Sequence, residues 1–261
     1  MPPFLTDQTQ LLLLISLCAI LWSVESIFPL YLHSEGRLRH ALPNVGLALL
    51  LIFTNLAVST GLAYVSALPP AFHFGLLTIV NLPSWAQLVV GVSALDLCAY
   101  FAHVLLHKSW FGWQFHRVHH SENAVDVTTA FRQHPGETVW RICWRYLAVV
   151  LFSLPLWVVV VYLILSTAHA QFEHANIRLP LTLDKLLRRV VVTPDMHKVH
   201  HSRDQVETDS NYGNIFSVWD KVFGTYTRQT DFQTLRYGLD GFDDNHQQTF
   251  AALLNTPFRR G

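Results

Sequence analysis

The fold of this chain is decided by three runs, His103-Val-Leu-Leu-His107, His116-Arg-Val-His119-His120 and His197-Lys-Val-His200-His201. The stretch that contains them, residues 103–201, holds eleven of the fifteen histidines. Residues three and four apart share one face of a helix, with Cβ atoms about 5–6 Å apart. Each run therefore directs its imidazoles to one spot, and together they predict a metal site with more ligands than one ion needs.

The composition places these histidines in a membrane protein. Hydrophobic residues make up 51% of the chain and charged residues 14%, and no Lys or Arg occurs before Arg37 or between Arg39 and Lys108. Such segments are long enough to cross a bilayer, which takes about 20 residues. The net charge of zero gives no indication of nucleic-acid binding. The three cysteines lie in or beside apolar segments without a CxxC pattern, which argues against a disulfide framework or a thiolate metal site.

Three apolar segments predict membrane spans, at residues 11–32, 44–66 and 84–107. Glu25 lies within the first span, where an acid is a functional candidate unless it faces another helix near the interface. We expect a loop from His33 to Pro43 between the first two spans. The positive-inside rule places this loop, and everything after Lys108, in the cytoplasm.

A fourth apolar stretch, residues 146–168, cannot cross the membrane if the histidines on its two sides share one site. It is too short for two crossings, but Pro155 near its middle can break a helix. We therefore predict a re-entrant helical hairpin that packs on the three spans, because non-helical backbone at depth must be covered by protein. Further on, Thr193-Pro194-Asp195 predicts a helix start, with an N-cap hydroxyl, a proline in the first turn and an acid at the positive helix end.

The predicted fold class is thus all-α. A multi-spanning transmembrane helical bundle, with three spans and the re-entrant hairpin, carries a cytoplasmic helical cap that holds a histidine-cage site for two metals. We treat residues 1–261 as one membrane domain. Its parts are the N-terminal spans and loops at 1–83, the histidine-rich core at 84–226 and the C-terminal tail at 227–261.

The histidines indicate a dinuclear site. Imidazole is a good ligand for zinc, copper, iron and nickel, so residue type does not choose the metal. Eight or more histidines exceed one tetrahedral or octahedral shell, which implies two ions. No Glu follows the first histidine of any run, so the HExxH pattern of zinc proteases is absent. The Glu-x-x-His pairs of soluble di-iron bundles are absent as well.

In this order the runs resemble the fatty acid hydroxylase / sterol desaturase superfamily of integral-membrane di-iron oxygenases. Several flanking segments strengthen the resemblance: Arg132-Gln-His-Pro-Gly-Glu137, Phe172-Glu-His-Ala-Asn176, Thr193-Pro-Asp-Met-His197, Asp209-Ser-Asn-Tyr-Gly213 and Trp219-Asp-Lys-Val-Phe-Gly-Thr225. The resemblance covers roughly residues 90–226. Three histidine runs in order after a membrane span are a specific signal, whereas one HxxxH would be weak.

The resemblance implies two iron ions that use O2 to hydroxylate or desaturate a C–H bond of a lipid such as a fatty acyl chain or a sterol. Zinc can replace iron in purified protein. Nothing in the sequence resembles a flavin, NAD or ferredoxin module, so we expect a separate electron donor of the cytochrome b5 or ferredoxin type. The expected location is the inner membrane of a bacterium or the endoplasmic reticulum of a eukaryote, with the metal site on the cytoplasmic side. Which lipid reacts, and whether it is hydroxylated or desaturated, stays open.

The expected metal ligands are the histidines of the three runs and two further histidines: His103, His107, His116, His119, His120, His169, His174, His197, His200 and His201. His174 matches the family's lone histidine. His169 lies five residues earlier, off the i, i+4 face of His174, and His134 is expected to be structural. Asp96 and Tyr100 share a helical face with His103, and metal-bound histidines usually donate their second N–H to a carboxylate or carbonyl. We therefore expect Asp96 and Tyr100 to support a ligand, with Arg132, Glu137 and Asp209 as further candidates.

Two rival functions are a metal-transport or metal-storage membrane protein and a zinc-dependent membrane hydrolase. Transport would place polar ligands at mid-span, whereas these histidines lie at the end of the third span and beyond it. The hydrolase is disfavoured because the glutamate base is missing.

We predict that the purified, folded protein carries about two metal ions per chain, because eight or more imidazoles are too many for one shell. Metal analysis checks this prediction. One ion or none in an active sample would contradict it, whereas zinc in place of iron would not, since zinc readily fills imidazole sites.

Overall fold

The structure, a computed structural model, describes residues 7–32, 36–66, 75–228 and 235–259. These residues form helices and two isolated β-bridges but no β-strand, which confirms the all-α prediction. The α-helices are α1 Asp7–Ile27, α2 Arg37–Ser66, α3 Leu76–Ile79, α4 Ser84–Lys108, α5 Trp110–His120, α6 Pro135–Phe152, α7 Leu156–His174, α8 Leu181–Leu187, α9 Pro194–His200, α10 Gln205–Thr208, α11 Val218–Val222 and α12 Phe250–Asn255. Short 3-10 helices span Val127–Phe131, Asn245–Gln248 and Thr256–Phe258.

Four helices in the described ranges are long and apolar enough to cross a membrane. They are α1, α2, α4 and α7. Helices α2 and α4 contain the predicted spans 44–66 and 84–107, whereas α1 ends at Ile27, before the predicted end of the span 11–32. Helix α2 begins at Arg37 and encloses Pro43, so the predicted loop from His33 to Pro43 is too long. The side chain of Arg37 pairs with Glu25 and lies 3.7 Å from the ring centroid of Trp22. These contacts with α1 hold the first turn of α2 in place.

The fourth apolar stretch is divided at the predicted point. Helix α6 ends at Phe152, Ser153 takes a left-handed conformation with φ of 51°, and α7 begins directly after Pro155. The two helices extend beyond residues 146–168, because α6 already begins at Pro135 and α7 continues to His174. Helices α6 and α7 both pack against α4. The approach of α7 is close, since a Cβ on Gly91 of α4 would overlap the side chain of Val158.

The apolar core lies where α4 meets α6 and α7. Leu95 of α4 is fully buried, with Val149 of α6 and Val159 and Tyr162 of α7 around it. Helix α4 is therefore the central helix, and it carries Asp96, Tyr100, His103 and His107 on this buried element.

Glu25 connects α1 to two loops. Its side chain is buried, and its carboxylate accepts hydrogen bonds from the backbone N–H groups of Val127 at 3.2 Å and Asn176 at 2.8 Å. Asn176 follows His174 by two residues. The intramembrane acid therefore faces the interior, where it ties the first helix to the segments beside the histidines.

The short helices α5 and α8–α12 form a layer, here called the cap, over one end of the long helices. Thr193 accepts a hydrogen bond from the N–H of Met196, which confirms the predicted start of α9. The described part of the C-terminal tail packs on the rest of the chain. Arg117 donates to the carbonyl of Arg259 at 2.9 Å, and Leu253 packs with Leu47 and Val118.

The broken pair α6–α7 begins and ends at the same end of the long helices, since Glu137 lies beside His116 and His174 beside His119. We therefore expect cysteines placed at Lys108 and Val206, in a background without the three native cysteines, to lie on the same side of the membrane. Both positions are exposed. An impermeant thiol reagent should label them only after the cells are opened.

A cysteine at Ser84 is the matched control. It is exposed at the opposite end of α4 and should be labelled in intact cells. Labelling of Val206→Cys from outside, with Lys108→Cys protected, would mean that the hairpin crosses the membrane.

Candidate metal centre

Nine histidines from the three runs and from α7 meet in two adjacent groups. In each group, one ring nitrogen from every member lies within 4.8 Å of those of the others. Group A is formed by His103, His107, His116, His120 and His200, and group B by His119, His174, His197 and His201. All nine side chains are buried. Together they are called the histidine cage.

The HxxHH spacing divides each run between the two groups. On α5, His116 and His120 are one turn apart and belong to group A, while His119 belongs to group B. On α9 the arrangement is reversed: His197 and His201 belong to group B and His200 to group A. This follows from helical geometry, because at 3.6 residues per turn position i+4 lies about 40° to one side of position i and position i+3 about 60° to the other. The prediction that each run directs all its imidazoles to one spot is therefore wrong for the two HxxHH runs.

The Nε2 atoms point into the two groups. In group A, His116 Nε2 lies 3.0 Å from that of His103 and 3.2 Å from that of His120. In group B, His174 Nε2 lies 3.2 Å from that of His119, 3.0 Å from that of His197 and 3.2 Å from that of His201.

The Nδ1 atoms of six rings each lie close to an oxygen atom on the side away from the group's centre. Backbone carbonyls accept from four of them, with Tyr212 O 2.9 Å from His103, Arg132 O 3.2 Å from His119, Ala170 O 2.7 Å from His174 and Ser210 O 2.7 Å from His200. Carboxylates face the other two. Glu137 Oε1 lies 3.0 Å from His116 Nδ1, and Asp209 Oδ1 lies 3.4 Å from His107 Nδ1. With a proton on Nδ1, each of these rings presents a lone pair at Nε2.

Burial favours the neutral form of the rings. It lowers the pKa of all six histidines on α5 and α9 below the usual value for this side chain, and for five of them neighbouring histidines lower it further. Near neutral pH these rings are therefore uncharged, which is the state that binds a metal ion.

The donor set fits two metal ions. His107 Nε2 and His200 Nε2 are buried in group A and have no hydrogen-bond partner in the described structure. A buried polar atom without a partner is costly, and lone pairs converging at 3.0–3.2 Å repel each other unless a cation or proton lies between them. One ion in each group would satisfy both requirements.

Asp96 does not contact the cage in the part of the chain that the structure describes. Its carboxylate accepts from the N–H groups of Ile215 and Phe216, both at 3.0 Å, from Trp219 Nε1 at 2.9 Å and from Asn214 Nδ2 at 3.2 Å. It therefore fixes the segment 214–219 on α4. Its link to the cage is indirect, since Tyr212 O, which holds His103, lies two residues before that segment.

Tyr100 is also turned away from the histidine nitrogens. Its hydroxyl lies 2.9 Å from Thr225 Oγ1, and its ring stacks on Phe223 with centroids 5.3 Å apart. Tyr100 thus holds the segment after α11 on the same face of α4 that carries His103.

His169 and His134 lie outside both groups. His169 Nε2 is 2.9 Å from the carbonyl oxygen of Val192. His134 is the N-cap of α6 and accepts from the N–H of Gly136 at 3.0 Å. The structure thus brings together nine of the ten expected ligands and leaves His169 apart from them.

Two residues near the cage have no role assigned by sequence reasoning. Glu173 is buried, with Oε1 3.8 Å from His197 Nε2 and 3.9 Å from His174 Nδ1. Lys198 is fully buried, and its Nζ donates to the carbonyls of Ala175 at 2.6 Å and Ile177 at 3.3 Å. Lys198 thereby joins α9 to the end of α7. The signal that the sequence offered for Lys198 is that it is the lysine within the run from His197 to His201.

Comparison with known proteins is consistent with this geometry. Residues 88–225, just over half of the chain, match the sequence profile of the family described as fatty acid hydroxylase. The ornithine lipid hydroxylase of Rhizobium tropici is 28% identical over 181 residues, which is 68% of this chain and 52% of that protein. The alkylglycerol monooxygenase of Homo sapiens is 28% identical over 170 residues, which is 62% of this chain and 35% of that protein.

The methylsterol monooxygenase 2-2 of Arabidopsis thaliana is 27% identical over 190 residues, which is 70% of this chain and 70% of that protein. By contrast, the chain spans about half or less of the length of the ornithine lipid hydroxylase and the alkylglycerol monooxygenase. No solved structure matches the chain.

Two histidines of α7 form a matched pair for a test of group B. His174→Ala removes one of the four converging nitrogens of group B and should lower the metal content below about two ions, because an ion left with three imidazoles has an open position and is lost more readily during purification. His169→Ala should leave about two ions bound, since that ring faces a backbone carbonyl. Metal analysis of both purified variants gives the answer. Equal losses in the two variants, or no loss in either, would contradict the assignment.

Proposed function

The chain belongs to the fatty acid hydroxylase family, and from that membership we propose that it is an integral-membrane oxidoreductase that uses O2 and external electrons to hydroxylate a C–H bond of a lipid. The observation that carries the proposal is the histidine cage, two groups of buried, inward-pointing imidazoles at one end of four apolar helices. The relatives support oxygen insertion over desaturation, because their names are those of hydroxylases and monooxygenases.

Two iron ions are the proposed cofactors, one held by group A and one by group B. Iron in such nitrogen-rich sites supplies the activation of O2 and the oxidising power for an unreactive C–H bond. We keep the nine cage histidines as ligands and leave out His169. Zinc remains the expected substitute in purified protein, because imidazole does not distinguish the two metals strongly.

The protein's own part is to hold and orient the ligands. Glu137 fixes the tautomer and direction of His116, and it is itself held by Arg141, whose Nε donates to Glu137 Oε1 at 2.8 Å. Asp209 does the same for His107 and also accepts from Lys108 at 2.9 Å. Such partners usually raise the basicity of the ligand and set its orientation. The burial of all nine side chains keeps bulk water from the cage.

A cavity of about 280 Å³ between α2, α4, α6 and α7 is the proposed place for the reacting part of the lipid. Leu51, Ala99, Phe131 and Leu163 form the apolar part of its wall, and polar side chains, among them Arg141 and Arg145, form the rest. Ala170 also lines the cavity, and its carbonyl oxygen contacts His174 Nδ1. A lipid chain in this cavity would therefore lie against the residues that support group B, on the side of the membrane helices.

The proposed location follows from the helices and the charges. Four apolar helices support a multi-pass protein in the bilayer. Arg178, Lys185, Arg188 and Arg189 follow α7 and prefer the cytoplasm, which supports a cage on that side. The membrane would be the inner membrane of a bacterium or the endoplasmic reticulum of a eukaryote. Electrons would come from a separate donor of the cytochrome b5 or ferredoxin type.

The rival functions fit the geometry less well. A transporter would need ligands along a path through the bilayer, whereas these nine converge at one end of the helices. A zinc hydrolase would need a carboxylate base beside an open metal position. Glu137 and Asp209 face the Nδ1 atoms behind the rings, and Glu173 lies near His197 Nε2 in group B, where four histidines already surround the position.

Growth of a host with and without the gene under ¹⁸O₂ tests the proposed reaction. We expect a lipid that carries one ¹⁸O only when the gene is present. Glu137→Gln should lower its yield about 10–100-fold, because the support of His116 is weakened. Glu207→Gln, a carboxylate change outside the cage, should leave the yield unchanged.

Mass spectrometry of the lipids distinguishes the outcomes. A product two hydrogens lighter without label would indicate desaturation instead. Cleaved lipids without ¹⁸O, or a lipid profile that does not depend on the gene, would contradict an oxygenase.

A further inference from the structure

A second and larger cavity lies on the cap side of the membrane helices. Its volume is about 1240 Å³, above the range of about 300–1,000 Å³ that is typical of small-molecule sites. It is bounded by the segment after α1, the first turns of α2, the segment after α5 and the described part of the C-terminal region. Nothing in the proposed reaction uses it directly.

The cavity is strongly cationic. Five arginines line it, whereas the described lining includes two carboxylates, Glu122 and Asp243. These two acids are already engaged. Glu122 Oε2 lies 3.4 Å from Arg132 Nη1, and Asp243 Oδ2 accepts from Arg203 Nη1 at 3.2 Å. A third lining arginine, Arg178, lies 3.7 Å from Asp195.

The remaining two arginines have no such partner. The side chains of Arg39 and Arg236 are exposed, and neither guanidinium makes a hydrogen bond or ion pair within the described ranges. They come from two separate parts of the chain, one from the start of α2 and one from the C-terminal region, and both line this cavity. Guanidinium groups bind phosphate and carboxylate in a bidentate manner, so both are available for an anionic group in the cavity.

One wall of the cavity is apolar and continues onto the membrane helices. Leu30 and Leu32 follow α1, and Leu42 lies in the second turn of α2. Leu32 is 85% exposed and Leu42 is 69% exposed, as expected for side chains in contact with acyl chains. A ligand that satisfies both walls has a charged head and an apolar tail. A small inorganic anion would leave the leucine wall unused.

The floor of the cavity is the back of the histidine cage. Glu122 follows His120 by two residues and lines the cavity. Arg132 also lines it, and the carbonyl oxygen of Arg132 holds His119 Nδ1. The neighbouring residues Ala130, Phe131 and Gln133 line the smaller cavity. The segment 130–133 thus separates the cationic cavity from the smaller one beside group B.

We propose that this cavity binds the anionic head group, phosphate or carboxylate, of a polar lipid through Arg39 and Arg236, and that this lipid is the substrate. The second half of the statement rests on the proposed function. The head group sits at the interface while the chain passes along α2 to the smaller cavity. Leu42 lines the larger cavity and Leu51 the smaller one. They are nine positions apart on α2, which corresponds to about 14 Å along the helix axis. The site therefore selects lipids with a charged head over sterols and neutral glycerides.

Binding can be measured without turnover. The probes are dioctanoyl phosphatidate and dioctanoylglycerol, which differ in the phosphate alone, added to the purified full-length chain in detergent. We expect phosphatidate to bind, and the double variant Arg39→Gln/Arg236→Gln to weaken that binding at least about tenfold, since two charge-assisted interactions are lost. Arg189→Gln, an exposed arginine outside the cavity, should bind as the unaltered protein does.

Each result decides for or against the proposal. The proposal is supported if dioctanoylglycerol binds more weakly than phosphatidate and if only the double variant loses affinity for phosphatidate. Equal binding of the two lipids, or an equal effect of Arg189→Gln, overturns it. Inorganic phosphate serves as a competitor. If it displaces phosphatidate at equal concentration, the apolar wall contributes nothing and the ligand is a free anion.

Variants of the cage separate this proposal from the proposed oxidation. His197→Ala should lose metal but keep the affinity for phosphatidate, because His197 does not line the cavity. For the substrate role, the double variant should raise KM for an anionic lipid with little change in kcat, and should leave a neutral lipid unaffected. Absence of any ¹⁸O product in the unaltered protein, with binding intact, would contradict the oxidation and the substrate role but not the head-group site.

Discussion

Nine imidazoles lie close together in one buried space, and the rest of the structure depends on how their mutual repulsion is offset. Nε2 atoms that lie 3.0–3.2 Å apart would repel each other if all were lone pairs, and would repel more strongly if the rings were charged. Burial removes the charge by lowering the pKa of the rings on α5 and α9. Cations between the rings would then supply the attraction that holds the ends of α4, α5, α7 and α9 together. The remaining contacts, from Lys198 to Glu25, keep these helix ends in reach of one another.

The rings are aimed largely by the backbone. Four of the six Nδ1 contacts go to carbonyl oxygens, and two go to the carboxylates of Glu137 and Asp209. A carbonyl cannot be removed by substitution, so these orientations depend on the position of whole segments. Asp96 helps to position one of these segments. It binds two backbone N–H groups and one indole of the segment 214–219, close to the carbonyl of Tyr212 that holds His103.

The sequence predicted the parts of the site that depend on local geometry. The i, i+4 spacing identified the histidines of α4, α5 and α9 that the structure brings together. Thr193 predicted a helix start and Pro155 a helix break, and the structure confirms both. The separation of His169 from His174 is also local, because five residues of α-helix turn the side chain by about 140°. What spacing could not show were the long-range contacts. Asp96 is more than 115 residues from its partners, and Glu137 meets His116 only because α6 folds back beside α5.

The division of each HxxHH run has a mechanical consequence. Helix α5 contributes two rings to group A and one to group B. Helix α9, together with His201 at its C-cap, contributes one ring to group A and two to group B. A rotation or slide of either helix therefore displaces ligands at both positions at once, and the two positions form a single rigid unit. The distance between groups A and B is therefore set by the helices that carry histidines of both. Loading would accordingly be cooperative, because the first ion to bind fixes the helices on which the second depends.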